Sequence, residues 1–286
     1  YATDIMMDCK YVVTAGADGD VIVWDALTGE NLFRLKHGGI VKYAEWNQKP
    51  FEQKYFVTCN DSLRGTLENT PNRICVWEWF ASGDGEDGDC EQVMELEMGS
   101  NKATRVKWGP ADTSLISIHE EGTFIVWDFP TGNKLHTIDA HQKPITDLQF
   151  NFDRTLMITS SRDHTAKIWE METYMNFKTY STDRPLNSAA ISPLYNSDET
   201  RKFHVMLGGG QEARDVTTTG ASSGKFEACL YHMVTEEELG TVQGHFGPIN
   251  TLCWLADGSG FITGGEEGYI RLHHFDQDYF NPKRWD

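Results

Sequence analysis

The chain has 286 residues, 39% of them hydrophobic and 12% aromatic, and 43 Asp and Glu outnumber 25 Lys and Arg for a net charge of −18. A chain of this length can bury a large core, and no linker or composition shift divides it, so one domain over 1–275 with a tail over 276–286 is expected. The charge argues against an extended phosphate-binding face as the main role, because such faces rest on Lys and Arg. The cysteines Cys9, Cys59, Cys75, Cys90, Cys229 and Cys253 are scattered without a CxxC, which gives neither a zinc site nor a disulfide framework. No apolar run approaches the ~20 residues of a membrane span, and no cofactor is expected.

Taken in order, the chain reads as short strands in groups of four. The first group has strands near Ala2 to Met7, Lys10 to Ala15, Asp20 to Trp24 and Asn31 to Leu35, with Thr14, Asp18 and Trp24 spaced by four and then six residues. The second begins after His37, with strands at Val41 to Trp46, Tyr55 to Cys59 and Ile74 to Trp79. Its turn is swollen to NDSLRGTLENTPN, and a second insertion, ASGDGEDGDCEQ, follows. From Asp84 to Glu97 there are only acids among the charged residues, which predicts an exposed loop leading into an edge strand.

The third group runs through Val106 to Trp108, Leu115 to Ile118 and Phe124 to Trp127, with Ser117, Glu121 and Trp127 at the same spacing but no histidine before them. The fourth, HQKPITDLQFNFDRTLMITSSRDHTAKIWE, is the fullest. His141 precedes its first strand, Thr159 sits late in the second, Asp163 lies in the turn and Trp169 in the third. This is the spacing of a Trp-Asp (WD) repeat, in which Trp, Thr, His and Asp form a buried hydrogen-bonded chain that staples one propeller blade. In the fifth group, PLNSAAISP and FHVMLG precede an irregular GGGQEARDVTTTGASSG and then FEACLYHM. The sixth places His245, Thr263, Glu267 and His273 at the four positions, so its Asp and Trp are replaced and a weaker staple is expected.

The fold class that follows is all-β, a WD-repeat β-propeller. The sixth group has three strands and a tail without a fourth, and the first begins on an innermost strand. Seven blades are therefore expected, with the first blade and the closing strand supplied by a segment of about 40 to 45 residues ahead of Tyr1.

From Arg184 onward the sequence resembles a family of WD-repeat proteins, the i subunits of eukaryotic translation initiation factor 3. The residues that carry the resemblance are RPLNSAAISP, LGGGQEARDVTTT, GKFEA, GHFGPIN and GGEEGYIRLHHFDQDYF, with a looser similarity through WGP and SRDHTAKIWE. The stretch from Gln48 to Glu97 departs from the family pattern. The resemblance implies a non-catalytic cytoplasmic scaffold that docks a helix from the C-terminal part of the b subunit and contacts the g subunit. It would support assembly of the 43S and 48S preinitiation complexes and scanning, reaching the 40S subunit indirectly. A signalling adaptor of the WD-repeat class, associated with receptor kinases, is the alternative.

The GGGQEARDVTTT loop lacks the Lys-Ser/Thr pair and the following helix of a phosphate loop, so it reads either as a strand exit or as a partner-facing loop through Gln211, Arg214 and Asp215. His141 and His245 read as staples, not as catalytic or metal histidines. His273 and His274 are adjacent on a strand and point to opposite faces. No triad or carboxylate pair is visible, so no catalysis is expected. For a helical partner the candidate contacts are Asp153, Glu170, Met171 and Tyr174, with Asp153 and Glu170 pairing with its Lys or Arg.

Overall fold

The computed structural model describes residues 2–49, 54–61, 72–80, 88–197, 201–210 and 226–280. Among the described residues the chain forms six antiparallel sheets, and each is a meander whose neighbours in sequence are neighbours in space. Five have four strands and the last has three. This is the blade construction of the WD-repeat propeller class. The chain gathers into two compact units, Tyr1–Gln142 and Lys143–Asp286.

The first unit holds three sheets: β1 (Ala2–Ile5) to β4 (Asn31–Lys36) with β2 (Tyr11–Ala15) and β3 (Asp20–Asp25) between; β5 (Ile40–Trp46), β6 (Tyr55–Asp61), β7 (Asn72–Phe80) and β8 (Asp89–Gly99); and β9 (Ala103–Trp108), β10 (Ser114–His119), β11 (Thr123–Asp128) and β12 (Lys134–Asp139). The second unit holds β13 (Ile145–Phe150), β14 (Leu156–Ser161), β15 (Thr165–Glu170) and β16 (Asn176–Ser181); β17 (Leu186–Ile191), β18 (His204–Gly209), β19 (Ala228–His232) and β20 (Glu238–Val242); and β21 (Ile249–Trp254), β22 (Gly260–Gly265) and β23 (Ile270–His274). The edge strand expected after the acidic loop begins at Asp89, which pairs with Phe80, and β8 is the outermost strand of its sheet. Leu96 and Met98 are buried there and anchor β8 to the core.

The staples follow from register. In the first four sheets the indole lies diagonally across from a hydroxyl on the same face: Trp24 is paired with Val12 beside Thr14, and Trp169 with Met157 beside Thr159. Trp24 Nε1 donates to Thr14 Oγ1 at 2.8 Å, Trp127 Nε1 to Ser117 Oγ at 2.8 Å and Trp169 Nε1 to Thr159 Oγ1 at 2.9 Å. Trp77 Nε1 donates to Thr58 Oγ1 at 3.0 Å, although the insertion in the turn puts these two residues nearly twice as far apart in sequence as the other pairs. His141, ahead of β13, is buried. Asp18 and Asp163 lie in the turns, where each accepts a backbone N–H two residues on, from Asp20 at 3.1 Å and from Thr165 at 3.0 Å.

Histidines reach these hydroxyls by more than one route. Thr58 Oγ1 lies 3.3 Å from His37 Nε2, whereas in the third sheet Ser117 Oγ lies 2.9 Å from His119 Nε2, two residues along the same strand. His119 thus takes the place of the histidine missing ahead of β9. Burial holds both imidazoles down at about 4, with Arg73 adding to the effect at His37. In the sixth sheet the expected weakening of the staple is not what the geometry shows at its centre. Glu267 Oε1 lies 2.5 Å from His245 Nδ1, and His245 Nε2 lies 2.8 Å from Thr263 Oγ1; only the last link, Thr263 Oγ1 to His273 Nε2, is long at 3.4 Å. Glu is one methylene longer than Asp and reaches the imidazole from the same turn.

Polar bonds also tie one sheet to the next within each unit. Asp4 Oδ2 accepts from Trp46 N at 2.8 Å, and Glu45 Oε2 accepts from Trp108 N at 3.0 Å while Lys107 Nζ lies 3.0 Å from Glu45 Oε1. Burial, with the Glu45 carboxylate adding, pushes the Asp4 carboxyl up to about 6. In the second unit the buried Asp147 accepts a very short hydrogen bond from Ser188 Oγ, which in turn accepts from Leu252 N at 3.1 Å. One residue from each of β13, β17 and β21 is thereby joined in a single chain.

Candidate interaction surface

The partner-facing residues expected from sequence divide once they are placed in the structure. Gln211, Arg214 and Asp215 lie outside the described residues. Asp153, Glu170, Met171 and Tyr174 all fall at one end of the fourth sheet. The reason is the register of β14 with β15: Leu156, the first residue of β14, pairs with Glu170, the last of β15, so the β13–β14 turn and the β15–β16 turn emerge side by side. Met171 N donates to Thr155 O at 2.9 Å and fastens one turn to the other.

Both turns are internally bonded. In the first, Asp153 Oδ1 accepts from Thr155 N at 3.1 Å and from Thr155 Oγ1 at 2.6 Å, and Asn151 Oδ1 accepts from Leu156 N at 2.9 Å. In the second, Glu170 Oε2 accepts from Thr173 Oγ1 at 2.6 Å and Glu170 O from Tyr174 N at 2.8 Å. Tyr174 takes a positive φ of 56°, which lets the chain reverse into β16. Its ring is half-buried, and burial raises its phenol. Asp153 and Glu170 are exposed. Side chains held this way present charge with little rotamer entropy left to lose on binding.

Met171 does not belong to this surface. It is only 7% exposed, because the bond to Thr155 turns it inward under the sheet end. Two residues that sequence reasoning passed over supply the apolar part instead: Phe152 is 80% exposed and Met175 is 65% exposed. Phe177 follows on β16, and Val234 stands at the same end of the fifth sheet, where its carbonyl accepts from Lys178 Nζ at 2.7 Å. The signal was present in NFDR: an aromatic in an otherwise polar four-residue turn has no core to join. Exposed apolar side chains thus share this end of the sheet with two fixed carboxylates, which suits an amphipathic helix carrying Lys or Arg beside its apolar stripe.

The profile of the EIF3I family matches residues 1–284. The chain is 38% identical over 281 residues to eukaryotic translation initiation factor 3 subunit I of Bombyx mori, covering 98% of this chain and 81% of that relative. It is 37% identical to the proteins of the same name from Nematostella vectensis and Homo sapiens, with the same coverage in each case. The match takes in the swollen second sheet as well as the C-terminal third, so the chain belongs to the EIF3I family of translation initiation factor subunits.

Proposed function

We propose that this chain is a non-catalytic scaffold of eukaryotic translation initiation factor 3, working in the cytoplasm. It docks a helix from the C-terminal part of the b subunit on the paired turns of the fourth sheet and contacts the g subunit through a neighbouring face. Its part in 43S and 48S assembly is positional, and its association with the 40S subunit runs through its partners, since a surface with a net charge of −18 is repelled by rRNA. The observation that carries the reading is the exposed Phe152 and Met175 set beside the fixed carboxylates of Asp153 and Glu170. Family membership supports it over a signalling adaptor.

The test is the affinity of the b-subunit helix for the double variant Asp153→Lys, Glu170→Lys. Binding is expected to weaken by more than about 1 kcal/mol, the usual threshold for an interface residue that matters. Unchanged affinity removes the surface. Recovery of the b and g subunits with the full-length protein after ribonuclease treatment tests the scaffold role separately.

A further inference from the structure

A cavity of about 280 Å³ lies in the second unit where the β16–β17 connection meets β18, β19 and the start of β20. Its walls carry three carboxylates, Asp183, Glu227 and Glu238, against one guanidinium, Arg184. Leu207 and Tyr231 supply apolar surface, and both are buried. The charged groups are set in place by their neighbours. Arg184 Nε donates to Asp183 Oδ1 at 2.8 Å, Tyr231 OH to Glu238 Oε2 at 3.1 Å, and Gln243 Nε2 to Glu227 Oε1 at 2.8 Å. Arg184 Nη1 stands 3.9 Å from Glu227 Oε2, an ion pair too long to be a hydrogen bond. The Cys229 thiol on the same wall is pushed up to about 11, chiefly by burial, and adds no charge.

These walls select among ligands. Phosphates and carboxylates would meet three negative groups at short range and only one positive one. A wholly apolar ligand would strip water from those carboxylates without replacing it. The volume is at the lower edge of the range for small-molecule pockets, which begins at about 300 Å³, so it suits a single side chain better than a nucleotide. What remains is a cation on an alkyl stem. The chain's overall negative charge favours basic segments of other proteins as the source.

We propose that this cavity receives the guanidinium or ammonium group of an Arg or Lys side chain presented by a bound peptide, with the stem against Leu207 and Tyr231 and the charge among Asp183, Glu227 and Glu238. The site lies at the end of β16 opposite to the Met175 turn, so it is separate from the helix-docking surface and does not depend on that reading.

Saturation-transfer NMR on the whole chain, with acetyl-arginine amide as the probe, tests this. Saturable binding is expected, competed by acetyl-lysine amide and weakened about tenfold in the Glu227→Gln, Glu238→Gln double variant, the loss that removing charge-assisted hydrogen bonds brings. The Asp183→Asn variant, whose side chain is half exposed in the native protein, carries the same comparison should the double variant fail to fold. Absence of saturable binding overturns the proposal, as does binding untouched by these variants. Spermidine binding where acetyl-arginine amide does not, or preferential binding of acetyl-glutamate amide, overturns it as well.

Discussion

The indole nitrogen of Trp169 donates to the hydroxyl of Thr159 at 2.9 Å, and both residues are buried. Removing the hydroxyl alone leaves a buried N–H that has lost water and gained nothing. Thr159→Val should therefore cost about 1–3 kcal/mol of stability. In a cycle with Trp169→Phe the double variant should cost less than the sum of the singles, because the second change removes the orphaned donor. Urea unfolding of the four proteins measures the coupling, and strict additivity would mean that the bond contributes nothing beyond packing.

Ser188 takes part in three sheets at once through Asp147 and Leu252 N. Ser188→Ala deprives a buried carboxylate of a donor and a buried N–H of an acceptor. The expected loss is about 1–3 kcal/mol, larger than that of a surface Ser→Ala change. Thermal unfolding provides the comparison.

Two imidazoles, the half-buried His37 and the buried His119, set a pH dependence in the first unit. His37 and His119 titrate at about 4 when folded and near 6.5 when unfolded, so the unfolded chain binds more protons between those values. Their contribution is complete above pH 6.5 and is lost as pH falls towards 4. Asp4 acts in the opposite sense: held up at about 6, it favours the folded state below the unfolded carboxyl value and loses that contribution as pH rises through 6. With two histidines against one carboxyl, stability should fall on acidification from pH 6.5 to 4.5. His119→Gln should flatten the urea midpoint plotted against pH, and an unaltered slope would show that His119 is not its source.

His164 follows Asp163 in the hairpin turn with φ at 70°, where the first, third and sixth sheets place Gly19, Gly122 and Gly268 at 80°, 84° and 84°. A Cβ in that conformation costs about 1 kcal/mol. His164→Gly should accordingly raise the unfolding free energy by about 0.5–1 kcal/mol. Calorimetry showing a lower melting temperature would reveal a contact of the imidazole that outweighs the strain.

Phe152 and Met175 are exposed, so Phe152→Ser and Met175→Ser should leave the melting temperature within about 1 °C while weakening the b-subunit helix by at least about 1 kcal/mol together. Fluorescence anisotropy with a labelled helix separates the two effects. A fall in melting temperature without a change in affinity would make these residues part of the fold instead of the interface.

Sequence alone determined the strand groups, the hairpin staples of the first, third and fourth sheets, and the family resemblance. Each of these rests on contacts within one hairpin, where strand register turns a fixed spacing into a fixed neighbour. Spacing failed at Thr58 and Trp77, because an insertion at a turn lengthens the sequence interval without moving the paired strands. It also missed His119, which reaches Ser117 along a strand instead of from the preceding connection. Only the tertiary structure decided that Met171 turns inward while Phe152 faces outward, that Asp147, Ser188 and Leu252 meet, and that carboxylates distant in sequence gather around Arg184. Those relations join different hairpins and different sheets, and the packing of one sheet against another, which sets them, leaves no period in the sequence.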